Sequence, residues 1–183
     1  MLVEAGVVAA LQAGSGDVVR IYAAGCVERM AQIFTGLRAG APERGVDVDL
    51  FVDTLQRLWD LDDTLDDFPE RVERLESFPE MQPAETGHIA VGDIYAFYSV
   101  LALRYATICV GSESVADAER CGHAVLTAMG ELEQNVAGSN FYQEEYDWQR
   151  QSIPEVGRAL DAGALRAGCA EISRHRFTAV LAR

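Results

Sequence analysis

The residues with the most chemical potential are carboxylates gathered in one short stretch. Asp60-Leu61-Asp62-Asp63-Thr64-Leu65 has the order used in aspartyl-phosphate chemistry: the first carboxylate attacks phosphorus, the second moves a proton, and Mg²⁺ organises the site. Such a string must end a buried parallel strand, and a lysine is needed later in the chain. Residues 51–59 are instead helical in period, with Gln56 and Arg57 where a strand would be continuously apolar, and the chain has no lysine. The overlapping Asp62-Asp63-Thr64-Leu65-Asp66 has the Asp-Asp-x-x-Asp spacing that can hold Mg²⁺ and a diphosphate on a bundle helix. No second metal-binding motif follows it. A calcium loop counted from Asp60 fails because Leu65 falls where Gly is required and Arg71 where the bidentate Glu belongs. The simplest reading is an acidic helix end and turn, with Asp66 and Asp67 near the start of the next helix, where negative charge is favourable.

The remaining candidates are sparser. A carboxylate metal site in a bundle uses paired Glu-x-x-His motifs; the one match is Glu85-Thr-Gly-His88, in a loop marked by Pro and Gly. Glu131, Glu133, Glu144, Glu145 and Asp147 read as solvated faces. Cys121 and His123 are two residues apart, which on a helix points them about 160° away from each other. His175 lies on an Arg-rich last helix. All fifteen basic residues are Arg, so Schiff-base, phosphate-loop and general-base lysine chemistry are excluded. Cys26, Cys109, Cys121 and Cys169 form no Cys-x-x-Cys pair. They read as free, buried thiols of a cytoplasmic protein, and the residues after Met1 lack a basic signal-peptide region. No cofactor or bound metal is implied.

The elements that must position these groups are helical. Val115, Ala118, Gly122, Val125, Met129, Leu132 and Val136 alternate steps of three and four and draw one stripe down a helix. Val18, Ile21/Tyr22, Cys26, Met30, Ile33/Phe34 and Leu37 make another, as do Ile94, Phe97/Tyr98, Leu101, Tyr105 and Ile108, and Tyr142, Tyr146, Gln149, Ile153, Val156 and Leu160. No segment alternates with period two. The expectation is a single all-α domain over residues 1–183, an antiparallel bundle of about six to seven helices. Asp17, Asp47 and Asp67 mark helix starts, Ser114 with Asp117 and Asn140 with Gln143 resemble capping boxes, and Pro154 predicts a kink or break.

Net charge is −14, and residues 43–85 hold fourteen acids against four bases. An acidic surface repels nucleic-acid phosphates and anionic lipid headgroups and attracts cationic partners. The longest apolar run, Ile94–Leu103, is about half of the roughly 20 residues a membrane span needs. Nucleic-acid and membrane binding are therefore disfavoured.

Cys26-Val-Glu28-Arg29-Met30 with Phe34, Leu58-Trp59-Asp60, Leu75-Glu-Ser-Phe78-Pro79, Asp93-Ile94-Tyr95 and Glu144-Glu-Tyr-Asp147-Trp148-Gln149 follow one another in an order that resembles the YjaG-like family of uncharacterised bacterial proteins. The resemblance covers about residues 17–160 and implies an all-α bacterial cytoplasmic fold without a known activity. From the residues themselves, the expected function is a non-enzymatic interaction protein, of inhibitor or immunity type, whose acidic face binds a basic protein. Its expected contact residues are Asp60, Asp62, Asp63, Asp66, Asp67, Glu70 and Glu73, with Trp59 as an anchor at the edge. The alternative is an Mg²⁺-dependent enzyme or small-ligand protein using Asp60 to Asp67. A homo-oligomer through an apolar face such as Tyr95, Tyr98 and Tyr105 is the third expectation.

Overall fold

The computed structural model describes residues 2–82, 90–153 and 161–182. Among them run eight α-helices: α1 (Ala5–Ala13), α2 (Gly16–Arg38), α3 (Gly45–Trp59), α4 (Phe68–Glu76), α5 (Val91–Ser112), α6 (Val115–Asn135), α7 (Phe141–Gln151) and α8 (Ala162–Leu181). Single 3₁₀ turns at Pro42–Arg44 and Pro79–Met81 complete the order, and no strand occurs among the described residues. The all-α bundle expected from the periodicity is the observed fold, with more helices than the six or seven expected. The extra short helix is α1. Its run of Ala, Val and Gly has no polar face to betray a period, and it is held by burial of Val7 and Leu11 and by a Glu4–Arg150 ion pair of 3.1 Å to α7.

Helix α2 forms the axis of the bundle. It packs on α8, α5, α3 and α6, so nearly every residue from Val19 to Phe34 is buried. A helix enclosed on all sides loses its narrow apolar stripe, and its polar side chains must find partners inside the protein. Phe34 stacks on Phe51 at 4.7 Å and on Phe78 at 5.7 Å, tying α3 and the turn after α4 to this axis. Helix α5 is the second core element, against α2, α6, α4 and α3. Its 22 residues are long and apolar enough to cross a membrane by length and composition, beyond the shorter run expected, and half of that window is buried within the protein.

Close approach between helices is set by glycine. A Cβ on Gly36 would lie 2.3 Å from Phe177 Cζ, and one on Gly111 would lie 2.1 Å from Phe68 Cγ. Each glycine is a socket for the ring of a neighbouring helix. At the helix starts, Ser114 Oγ accepts from the Asp117 amide at 3.3 Å as expected. Asn140 makes no such bond; Glu133 Oε2 from α6 accepts from the Tyr142 amide at 2.9 Å, so another carboxylate serves that terminus. Pro154, Glu85 and His88 lie outside the described residues.

Candidate interaction surface and buried charge cluster

The turn between α3 and α4 is built around two arginines. Arg57 donates from Nε and Nη2 to both carboxylate oxygens of Asp63, at 2.5 and 2.8 Å, and from Nη1 to Asp67 at 2.6 Å. Arg20, from α2, donates to the Leu58 and Arg57 carbonyls at 3.0 and 2.7 Å and to the Asp63 carbonyl. Its guanidinium thus pairs the Leu58 carbonyl at the end of α3 and adds a second donor to the Arg57 carbonyl, which also accepts from the Asp60 amide at 3.1 Å, and its charge suits that terminus. The Leu65 amide donates to Asp63 Oδ1 at 2.7 Å, which holds Leu65 in the left-handed region at φ 53° with its side chain fully buried. A leucine tolerates that backbone only where the surroundings fix it. Bonding to Arg57 brings the Asp63 carboxyl down to about 2. Burial opposes the same movement at Asp67, but its bonds to Arg57 and the charge of Arg71 hold it below its ordinary value.

The seven carboxylates expected to form one acidic face therefore divide. Asp63 and Asp67 are occupied internally, Asp67 also meeting Arg71 Nε at 2.8 Å. Asp60, Asp62, Asp66, Glu70 and Glu73 are exposed and make no ion pair among the described residues. Trp59 belongs to the inner side of this edge. It is 9% exposed, donates from Nε1 to Glu28 at 2.9 Å and lies 5.9 Å beneath the Arg166 guanidinium, so its ring is already packed between α2, α3 and α8. The phosphatase-like string follows a helix, and the Asp-Asp-x-x-Asp string occupies a turn. Among the described residues, no group of three or more His, Cys, Asp or Glu side chains is placed to hold a metal.

A second charged cluster sits in the core, where the sequence placed none. Arg29 grips Glu145 with two bonds, Nε to Oε2 at 2.9 Å and Nη2 to Oε1 at 2.8 Å, and Arg176 Nη2 reaches Oε2 at 2.7 Å. All three side chains have zero solvent exposure. Gln149 Nε2 donates to Glu145 at 2.9 Å and to the Gly122 carbonyl at 3.0 Å, and Tyr22 donates to Gln149 Oε1 at 2.9 Å. Arg29 also meets the thiols of Cys169 and Cys26, at 3.3 and 3.5 Å. Burial alone would raise the Glu145 carboxyl, but the two guanidiniums outweigh it and hold it down to about 2.

The expected solvated face of Glu145 is thus corrected. Phe141, Glu145 and Gln149 of α7 and Ser152 just after it are all buried, an inward face that shares Gln149 with the anticipated Tyr142–Tyr146–Gln149 stripe. Polar residues on that face mask it as exterior. Tyr95 of the expected oligomer face is also buried, while Tyr98 and Tyr105 remain partly exposed. Cys121 is buried and His123 exposed, on opposite faces of α6, and exposed His175 lies 5.6 Å from the Phe141 ring.

In comparisons with known proteins, the chain matches no family model, no curated protein and no solved structure.

Proposed function

We propose that this is a non-enzymatic interaction protein that binds a basic protein partner through the exposed acidic edge formed by α3, the following turn and α4. One observation carries this reading: the arginines are consumed within the fold. Arg29 and Arg176 are in the core, Arg20 caps α3, and Arg38, Arg44, Arg57, Arg71 and Arg104 pair with carboxylates. Among the described residues, Arg74 and Arg174 are the arginines with neither a carboxylate nor a carbonyl partner. Because the core triad holds one net positive charge, the rest of the molecule is more acidic than the total of −14 conveys.

Asp60, Asp62, Asp66, Glu70 and Glu73 carry the contact, and Arg57 and Arg20 fix the turn that presents them. A rigid turn lowers the ordering cost of binding, while opposite charge accelerates encounter. The partner class is a cationic protein, such as a nuclease or toxin that an acidic surface would block. Four buried reduced thiols suit a cytoplasmic setting.

The test neutralises the five exposed acids together as Asp60→Asn, Asp62→Asn, Asp66→Asn, Glu70→Gln and Glu73→Gln. From lysate of the native host, wild type should capture a basic protein whose association falls with added salt. The neutralised protein should associate about tenfold more slowly, or worse, with an unchanged circular-dichroism spectrum. Capture that is indifferent to both salt and these substitutions would overturn the proposal.

A further inference from the structure

Among the described residues, the Arg29–Glu145–Arg176 cluster is one negative charge short. Two guanidiniums share a single carboxylate at zero exposure, and arginine does not shed its proton in proteins. The deficit has a location. Arg29 has acceptors around its fork, whereas Arg176 spends Nη2 on Glu145 and leaves Nε and Nη1 buried with no hydrogen-bond partner among the described residues.

Among the described residues, neighbouring side chains do not supply the missing charge. Besides burial, the strongest influences on Arg176 are Glu145, Arg29 and Cys169, and burial pushes the Cys169 thiol up, so it stays protonated. Burial likewise raises the Cys121 thiol and the Tyr22 phenol on the far side of the cluster. A buried cation with two unpaired donors is costly, and a halide accepts several N–H bonds while carrying the single charge required.

We propose that the protein binds a halide-sized monovalent anion at Arg176 Nε and Nη1, enclosed between α2, α7 and α8. The anion makes the cluster neutral and completes the Arg176 hydrogen bonds. It binds only the folded chain, because the two guanidiniums come from helices that meet only there, so it stabilises by mass action. This site is independent of the acidic edge and of its partner.

Thermal unfolding at constant pH and ionic strength, with gluconate replaced stepwise by bromide, tests it. For wild type, each tenfold rise in bromide above the dissociation constant should increase the folding equilibrium constant about tenfold. Arg176→Met leaves Arg29 and Glu145 as a neutral pair and should remove that dependence. Crystals of wild type grown in bromide give a readout that does not rely on the variant folding: an anomalous peak at hydrogen-bond distance from Arg176 Nε or Nη1. No bromide dependence in wild type, equal dependence in Arg176→Met, or a water without anomalous signal at those nitrogens would each overturn the proposal.

Discussion

Glu145 holds two arginines from two other helices, and its removal should be felt more than that of any exposed acid. Glu145→Gln removes the carboxylate that both buried guanidiniums share, and should cost roughly 3–5 kcal/mol in urea unfolding. The same carboxylate sets an acid limit on stability. Its native value of about 2 lies below the ordinary 4.5, so the unfolded chain takes up its proton first as pH falls. Its contribution is full above about 4.5 and is lost as pH falls towards 2; Asp63, held at about 2 against an ordinary 3.8, acts with the same sign. Urea midpoints should therefore drop steeply between pH 4.5 and 2, and Glu145→Gln should show a shallower drop. None of this is visible from one chain of letters. A carboxylate on a helix looks solvated until the arginines that meet it are known, and Arg29 and Arg176 lie 116 and 31 residues away. Two of the runs quoted as ordered landmarks, Cys26 to Met30 and Glu144 to Gln149, converge at this point.

Helix contacts and ends make a different class of demand. Gly111 receives the Phe68 ring with no room for a methyl group, so Gly111→Ala should cost about 1–3 kcal/mol by overpacking. Glu113, at the end of α5, has φ 54° and is exposed. Glu113→Gly should raise stability by about 1 kcal/mol, because glycine adopts that backbone without penalty; both changes are measurable by denaturant midpoint at constant m-value. Long helices were legible because their polar faces are intact: α6 repeats its stripe over the whole of Val115–Asn135. The α3–α4 turn was legible only in part. Aspartates mark a boundary, but their partners Arg20 and Arg57 sit on helices before it, and the left-handed Leu65 carries no glycine or asparagine to announce itself.

Across the molecule, arginines are spent inside and on the flanks while many acids face water. Such a surface repels itself, so neutralising Asp60, Asp62, Asp66, Glu70 and Glu73 should raise the melting temperature at low salt, and added salt should narrow the difference. The sign and location of the charge excess can be read from residues 43–85 alone. Its division into internal and outward carboxylates depends on the folded turn. The thiols give this architecture a further use. Helices α2, α5, α6 and α8 each bear one cysteine, and all four are buried, Cys109 being pushed up to about 12 by burial. Alkylation needs an exposed thiolate, so each cysteine becomes a clock for the opening of its own helix. Four site-resolved labelling rates would order the bundle from its first-yielding helix to its last.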